Sequence, residues 1–445
     1  MARPVVLSYG LGVDSTAILL RWLTEPASRD FELSDLTVIT AMTGDEWRQT
    51  GRDVEAHVLP LLAAHGVRYI QVARGQRHVS TAGDGVVTLD DSTEPARLYL
   101  EGAFKLSQEM LEAGTVPQTG GARLCSVHSK GDALDPVISR IVAGRPYRHV
   151  MGFEANEPKR AAKDRLYNTA LRTGEYPLIE WGWDREACKA FIYRLTGVHW
   201  KKSACKFCPF ALANTASRAE TLERYATEEP EASDLALTME HVALALNPNQ
   251  ALVGRYRLVD LLETSGYAEV VKRSRSQLPK LPHALYEVRR ILRAQKDDPA
   301  KMANASRSVR RVAEGTADEM LDRLYEVADA EGVDVSAVDG VNRAYVRRRG
   351  HAFPTAEHFL VAAPAVVLDK AADNFEAWWA ELDEQGLTAK LADFCLDGGT
   401  KRLFVVRRGW RSGARKFPEE LGCTKTVTDV RSHRQGAHVG RPDRS

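Results

Sequence analysis

The chain has 445 residues, of which 44% are hydrophobic, and its 61 lysines and arginines nearly balance its 60 aspartates and glutamates. This length and composition allow a substantial core and indicate two or three domains. The balanced charge excludes a global field that draws the whole molecule onto nucleic acid or a membrane, so any polyanion site must be local.

Targeting signals and cysteine usage indicate the compartment. No stretch approaches the roughly 20 apolar residues that cross a bilayer, and the apolar run at the start is too short for a secretion signal. The chain has six cysteines, two of them spaced as Cys205-x-x-Cys208. They fit metal or redox chemistry in a reducing compartment better than a disulfide framework. We therefore expect a cytoplasmic protein with free thiols or metal thiolates.

The first half of the chain predicts strands that alternate with helices. Apolar runs predict strands over residues 5–8, 36–42, 67–72 and 149–152. Helical spacing predicts helices over residues 14–23, 52–64 and 130–142. This order predicts an α/β fold, with a doubly wound parallel sheet covered by helices on both faces.

The pattern changes after residue 215. Helical spacing predicts a helical region over residues 216–330, with a proline linker at residues 278–282 and renewed helical spacing from residue 283. Strand-like runs at 359–368 and 402–406 and a helix at 371–384 predict a small α+β domain over residues 331–430. Residues 431–445 are rich in Arg, His and Gly and predict a disordered basic tail.

A glycine-containing loop joins the first predicted strand to the first predicted helix. It runs from Ser8 through Gly10 and Gly12 into a helix that opens with Asp14 and Ser15. Unpaired N–H groups at a helix N-terminus attract phosphate, and glycines allow its close approach. The loop has neither a Walker A ending nor the dinucleotide fingerprint, so it predicts a third class of phosphate loop. A tight turn before a capped helix is the structural alternative.

This segment resembles the PP-loop signature of the ATP pyrophosphatase superfamily, in which Ser and two glycines precede Asp and Ser. The residue between the two glycines is similar to the reductase-like members. The resemblance implies that ATP and Mg²⁺ bind here, that Asp14 helps to hold the metal ion, and that Asp14 and Ser15 act in catalysis. The implied nucleotide contacts in the loop are Ser8, Tyr9, Gly10, Gly12, Val13, Asp14, Ser15 and Thr16.

Three later segments resemble the sulfonucleotide (PAPS) reductase branch of that superfamily, in the same order along the chain. They are Thr43-Gly44-Asp45, the run Arg123-Leu-Cys-Ser with Lys130 after it, and Gly152-x-Glu154 with Arg160 after it. Met42 stands where that branch has Asp. The resemblance implies that Lys130 and Arg160 are catalytic and neutralise phosphates together with Arg123, while the other residues contact the nucleotide. Surface charge at helix ends is the alternative for each cation.

Four cysteines are candidate metal ligands. Cys205 and Cys208 have the spacing with which two thiolates hold one metal ion or one iron of a cluster. Cys125 and Cys188 raise the number of candidate thiolates to four, which suits Zn²⁺ or an iron–sulfur cluster. A redox dithiol, and for Cys188 a buried apolar side chain, are the alternatives. The tail thiol of sulfonucleotide reductases lies in Glu-Cys-Gly-x-His, and the order around Cys423 does not match it.

Two basic stretches, residues 343–349 and 401–416, interleave cations with aromatic side chains. Cations that meet phosphates and aromatics that stack on bases are what a nucleic-acid groove requires. Solvated strand faces with a similar composition are the alternative. Nucleic acid, with DNA favoured over tRNA, is therefore a predicted partner.

These features together predict an enzyme that splits ATP into AMP and pyrophosphate and adenylates a target for sulfur insertion, as the PP-loop resemblance implies. Among relatives the targets are nucleic acids, either DNA in phosphorothioation or a tRNA base in thiolation. A sulfur-donor protein such as a cysteine desulfurase is the implied protein partner. The alternatives are a sulfonucleotide reductase and a non-catalytic, zinc-bearing nucleic-acid module, which predicts no ATP turnover.

Overall fold

A computed structural model describes residues 3–117, 119, 124–298, 300–351 and 353–382 of the chain. These residues form an α/β fold with one sheet of six strands and another of five. The predicted α/β class is therefore confirmed. None of the described helices is long and apolar enough to cross a membrane.

The first sheet carries the N-terminal half of the fold. Its strands are β1 (Val5–Ser8), β2 (Leu36–Met42), β3 (Arg68–Arg74), β4 (Val86–Ser92), β5 (Tyr147–Val150) and β6 (Arg172–Glu175). They lie in the order β4-β3-β2-β1-β5-β6. All pair in parallel except β4, which is antiparallel to β3. The predicted parallel sheet is therefore wrong at this edge, where the polar, half-exposed β4 returns beside β3 and carries no strong strand pattern.

Nine α-helices accompany this sheet within the described residues. They are α1 (Val13–Thr24), α2 (Arg48–His57), α3 (Leu59–Ala64), α4 (Leu106–Ala113), α5 (Leu124–Ser126), α6 (Asp132–Val142), α7 (Pro158–Arg165), α8 (Pro177–Glu180) and α9 (Arg185–Thr196). A π-helical turn, Val127–Gly131, joins α5 to α6. The single helix predicted over residues 52–64 is two helices, because Pro60 can stand only in the first turn of α3.

The two faces of the first sheet are covered by different helices. On one face, Leu7 and Val38 pack with residues of α1 and α9. On the other, Ile39 and Val72 pack with Ile138 of α6. The chain runs from β1 to β2 and β3 on one side and later returns to β5 and β6 on the other. The loops after β1 and β5 therefore diverge, and ligands of doubly wound sheets bind in the crevice between such loops.

The second half contains helices and an antiparallel sheet. The helices are α10 (Pro209–Ala213), α11 (Thr215–Thr227), α12 (Pro230–Leu246), α13 (Leu258–Thr264), α14 (Ala268–Gln277) and α15 (Ala317–Glu331). The strands are β7 (His283–Ala294), β8 (Met302–Gly315), β9 (Val335–Val338), β10 (Val341–Arg347) and β11 (Thr355–Pro364). They lie in the order β8-β7-β11-β10-β9.

The helical structure predicted for residues 283–315 is wrong, because this segment forms β7 and β8. Ala284 and Tyr286 pack towards α12, whereas Leu285 packs against α15. A strand that is buried on both faces loses the alternation of apolar and polar residues, and its apolar run then resembles a helix. Residue 330 is the predicted boundary between the helical region and the α+β domain. Because β7 pairs with β11, the second sheet contains strands from both sides of this boundary. The predicted strand at 402–406 and the predicted tail at 431–445 lie outside the described residues.

Candidate functional site

A cavity of about 930 Å³ opens where β1 and β5 end. Small-molecule sites typically enclose about 300–1,000 Å³. Its walls come from the loop after β1, the π-helical turn with α6, the loop after β5, and α7. The predicted site residues that line it are Ser8, Tyr9, Gly10, Gly12, Asp14, Ser15, Lys130, Gly152 and Arg160. The crevice of the sheet is therefore where three of the four predicted segments meet.

The loop between β1 and α1 is held in an uncommon conformation. Leu11 has a φ of 62°, in the left-handed region that costs a residue with a side chain about 1–3 kcal/mol. Its side chain is 1% exposed in the core of the first sheet, and its carbonyl oxygen accepts a hydrogen bond from Trp200 Nε1 at 3.1 Å. The core thus stabilises the turn. Left-handed residues in loops of this kind help to form backbone concavities that bind anions.

The start of α1 is open to an anion. Gly12 occupies the N-cap position, and no side chain caps the helix. The Ser15 hydroxyl is used inside the loop, since it accepts from Gly10 N at 3.2 Å and donates to Gly12 O at 3.4 Å. An N-terminus without a side-chain cap presents N–H donors and the positive end of the helix dipole to a ligand.

Gly152 brings the loop after β5 against this helix terminus. A Cβ atom at Gly152 would lie 2.9 Å from Ser15 N and 3.2 Å from Ser15 Cα. Both neighbours belong to backbone, which cannot move aside as a flexible side chain can. Glycine is therefore required here for the two loops to form one surface.

His149 and Arg172 control the hydrogen bonding of Ser8. Arg172 Nε donates to His149 Nδ1 at 2.9 Å, and a guanidinium can only donate, so Nδ1 must accept. The hydrogen of the neutral ring is then on Nε2, which donates to Ser8 Oγ at 2.8 Å. Burial, followed by the charge of Arg172, lowers the pKa of His149 to about 4, so the ring is neutral at pH 7. Ser8 consequently keeps its own hydroxyl hydrogen for a ligand in the cavity.

Arg172 is itself anchored. Its Nη2 donates to Asp164 Oδ2 at 2.7 Å, and Tyr176 OH donates to the same oxygen at 2.8 Å. This order of groups differs from a Ser-His-Asp triad, which places a carboxylate on the second ring nitrogen to favour protonation of the histidine. Here a cation occupies that position and opposes protonation. His149 therefore positions Ser8 and does not act as its base.

Lys130 lies between the cavity and a group of thiols. Its Nζ is 3.5 Å from Oε1 of Glu46, whose side chain is only 1% exposed. Loss of surrounding water lowers the pKa of Lys130, but the neighbouring Glu46 carboxylate opposes this, and the net effect is a raised pKa. Lys130 is therefore positively charged at neutral pH and lines the cavity as a cation.

Cys125 and Cys205 both lie near Cys208. Burial raises the pKa of Cys125 and raises that of Cys205 further, so both thiols are protonated at neutral pH. In the part of the chain that the structure describes, no three His, Cys, Asp or Glu side chains are placed to hold a metal ion. The metal site at these cysteines stays a prediction.

Cys188 lies apart from these thiols. It belongs to α9, is fully buried in the core of the first sheet, and is close to Asp14. Burial, followed by the charges of Asp14 and Glu154, raises the pKa of Cys188 to about 12. The structure therefore supports the alternative of a buried apolar side chain for this residue.

Several predicted contacts do not line the cavity. Asp45 is buried and accepts from Ser107 N at 2.8 Å, so its carboxylate caps the start of α4. Thr16 Oγ1 is 3.1 Å from Tyr9 OH in the core, and Glu154 accepts from Asn156 N at 2.8 Å. The described residues that were predicted as contacts but are absent from the cavity wall are Val13, Thr16, Thr43, Gly44, Asp45 and Glu154. Arg123 lies outside the described residues.

The carboxylate of Asp14 lines the cavity but is already paired. Arg185 at the start of α9 donates to it from Nε at 3.2 Å and from Nη2 at 2.7 Å. A metal ion at Asp14 would have to replace this ion pair. The sequence did not suggest Arg185, because 171 positions separate the two residues.

The structure adds residues of the cavity wall that sequence analysis missed, above all His149, Asp164, Tyr167 and Arg172. A lone histidine in a strand and an arginine after it have no diagnostic spacing, so no local signal could have identified them. No protein-family model matches the chain, and a search of curated proteins finds no match for it either.

Proposed function

We propose that the chain binds ATP in this cavity and transfers its AMP group to an oxygen of a target, with release of pyrophosphate, so that incoming sulfur then displaces AMP. The main support is an uncapped helix N-terminus, preceded by a glycine loop, at the point where the strand order reverses. Backbone donors of this kind bind phosphate. A sulfur-donor protein such as a cysteine desulfurase would supply the sulfur.

The chemical character of the cavity wall also supports a nucleotide. Its lining includes the polar side chains of Ser8, Lys130 and Arg160 and the apolar side chains of Ile39 and Ile138. A nucleotide has charged phosphates and a flat base, and pockets of this size commonly combine apolar walls with a few polar groups.

Two cations would stabilise the leaving pyrophosphate. Lys130 and Arg160 approach from different walls, and Arg160 is oriented by an ion pair to Glu157 at 2.6 Å and by the ring of Phe153 at 4.4 Å. Fixed positive groups stabilise charge that develops on phosphate oxygens. Mg²⁺, when bound, would neutralise phosphate charge, and Asp14 is its proposed protein ligand once the carboxylate leaves Arg185.

The proposal is tested by incubating purified protein with ATP labelled in the α-phosphate and Mg²⁺, with and without DNA or tRNA. We expect equal amounts of AMP and pyrophosphate, and we expect loss of both products when Asp14 and Ser15 are replaced by Ala. Formation of ADP and phosphate would contradict the proposed bond cleavage. Absence of any turnover would favour a non-catalytic module.

A sulfonucleotide reductase is a second candidate, because Lys130 links the cavity wall to the thiols of Cys205 and Cys208. The cavity would then hold an adenylyl sulfate whose sulfur is attacked by a thiol. Release of sulfite from adenylyl sulfate in the presence of a dithiol, without AMP formation from ATP, would favour this candidate.

Gly152→Ala is expected to weaken ATP binding at least about tenfold, because the added methyl group would press on the backbone of Ser15 and such overpacking costs about 1–3 kcal/mol. Titration calorimetry with a non-hydrolysable ATP analogue measures the change. Gly131→Ala is the matched control: Gly131 also lines the cavity, but a Cβ atom there meets nothing within 4 Å. Equal affinities of the two variants would contradict the close contact of the two loops as a requirement for binding.

A further inference from the structure

A basic segment forms one wall of the cavity and continues onto the surface. It comprises α7 from its second residue onward and the turn that follows. This segment, residues 159–171, is here called the rim. Backbone hydrogen bonds from Leu166 N to Lys163 O and from Tyr167 N to Asp164 O extend the helical path beyond the end of α7. The helical path of the rim therefore runs to Tyr167, and residues 168–171 continue from it towards β6.

Two stripes run along the rim. Arg160, Asp164 and Tyr167 line the cavity. Lys159, Lys163 and Leu166 each precede one of these residues, and all three are exposed. Residues at positions i, i+4 and i+7 share a face of a helix. The exposed stripe therefore lies directly beside the stripe that enters the cavity.

The rim carries uncompensated positive charge. Its cations are Lys159, Arg160, Lys163 and Arg165, and its single carboxylate, Asp164, is bound to Arg172 and Tyr176. Among the described residues, no carboxylate lies within ion-pair distance of Lys159 or Lys163, whereas Arg160 pairs with Glu157. A local cluster of this kind attracts a polyanion even though the chain as a whole is nearly neutral.

Apolar side chains stand among these cations. Leu166 is 83% exposed, Tyr167 is 65% exposed and Leu171 is 41% exposed. Tyr167 belongs to the cavity wall and to the outer surface at once. Unpaired bases stack on exposed aromatic rings while cations contact the backbone phosphates, and this combination is typical of single-stranded nucleic-acid grooves.

A nucleic-acid contact was predicted from the basic stretch at residues 343–349, but two of its residues take part in packing and hydrogen bonding within the fold. Arg343 is buried and donates to Ala245 O at 3.1 Å, and Tyr345 packs on Phe359 with 5.2 Å between ring centroids. Arg343 and Tyr345 hold β10 in its sheet, whereas Arg348 and Arg349 are exposed, so a nucleic-acid contact at this stretch stays a prediction. The other predicted stretch, residues 401–416, lies outside the described residues.

We infer that the rim is a docking surface for single-stranded nucleic acid and that it leads the strand to the mouth of the cavity. The choice of a single strand follows from Tyr167, because bases in a duplex are stacked on each other and cannot stack on its ring. That the strand is the target of adenylation depends on the proposed function; binding of the strand does not.

The test measures binding without nucleotide, by fluorescence anisotropy of a labelled 20-nucleotide DNA strand over a range of salt concentrations. Affinity for the strand decreases as salt increases, so log affinity against log salt has a negative slope. In Lys159→Gln/Lys163→Gln we expect this slope to become shallower by about 1.4, since each lost phosphate contact on a single strand contributes about 0.7. In Tyr167→Ala we expect affinity to fall about tenfold with the slope unchanged, because a stacking contact releases no counterions. These two signatures separate electrostatic from base contacts.

Lys272→Gln/Arg275→Gln on α14 is the matched control, since both side chains are exposed and lie outside the cavity wall. It should bind the strand like the wild-type protein. The proposal would be overturned if the control and the rim variant lost the same affinity for the strand. It would also be overturned if the protein bound a duplex of the same length as tightly as the strand, or if polyglutamate competed as well as unlabelled strand. ATP binding, measured in parallel by calorimetry, shows independently whether the proposed function holds.

Discussion

Replacement of Lys130 by Met is expected to slow pyrophosphate release from ATP by about 10²–10³-fold, the usual effect of removing one fixed group that stabilises transition-state charge. Lys130 lines the cavity, and the Glu46 carboxylate keeps it charged at neutral pH. Single-turnover measurement of AMP formation at saturating ATP would report the loss in the chemical step and separate it from a loss of binding.

The same substitution should also destabilise the fold, because it leaves the buried Glu46 carboxylate without its cation. We expect a loss of about 2 kcal/mol, less than for a fully buried pair because Lys130 is partly exposed. Lys130→Met/Glu46→Gln removes both charges, so it should recover stability in urea unfolding and remain inactive. If this double variant forms AMP at the wild-type rate, Lys130 has no part in the chemistry.

Replacement of Ser8 by Ala is expected to weaken ATP binding about tenfold, since a hydrogen bond to a charged group contributes about 1.5–3 kcal/mol. His149→Leu should have a similar effect, because Ser8 would lose the N–H donor that leaves its hydroxyl hydrogen for phosphate. The two losses should not add in the double variant, since both remove the same interaction. Calorimetry with a non-hydrolysable ATP analogue measures all four proteins.

His149→Gln provides the matched control for this network. A glutamine amide can accept from Arg172 through its oxygen and donate to Ser8 through its nitrogen, as the neutral imidazole does. We therefore expect His149→Gln to bind ATP much better than His149→Leu. Equal binding by the two variants would contradict the role of His149 in orienting Ser8.

The low pKa of His149 gives this network a defined pH dependence. The folded pKa of about 4 lies below the ordinary value of 6.5, so the unfolded state binds more protons between these values and stability falls as pH decreases. From pH 7 to pH 5 the contribution of His149 to the free energy of unfolding should fall by about 2 kcal/mol. Urea unfolding at both pH values should show a smaller decrease in the free energy of unfolding for His149→Gln than for the wild-type protein. The contribution of His149 to nucleotide binding should be independent of pH between 8 and 5.5, where its ring remains neutral, so the wild-type protein and His149→Gln should show the same pH dependence.

Much of the first sheet could be predicted from local pattern. The predicted strands at residues 5–8 and 36–42 coincide with β1 and β2, since both are short apolar runs between clear breaks. The predicted strand at residues 149–152 is shifted from β5, Tyr147–Val150, because the charged Arg148 interrupts the apolar run at its start. The missed strand β6 is polar throughout, and its edge position leaves little apolar signal.

The cavity residues that could be predicted from the sequence are mostly those that lie close together along the chain. The loop from Ser8 to Ser15 is local, so residues near in sequence are also near in space, and five of them line the cavity besides Ser8 itself. The turn at Asp45 has a similar local pattern, but its carboxylate binds Ser107 N instead. A sequence motif places a residue at the edge of a sheet, whereas its side-chain direction depends on the segment that packs beside it.

The sequence by itself determined the α/β class and the position of a glycine-containing loop between β1 and α1, because these depend on periodicity and on glycines within a few residues. Only the tertiary structure decided that Arg185 pairs with Asp14, that Arg172 sets the tautomer of His149, and that Cys188 lies apart from the other thiols. It also decided that β7 and β8 are strands, since helices cover both of their faces. The physical reason is the same in each case: the partner that defines the residue's state is distant in the chain and has no spacing signal.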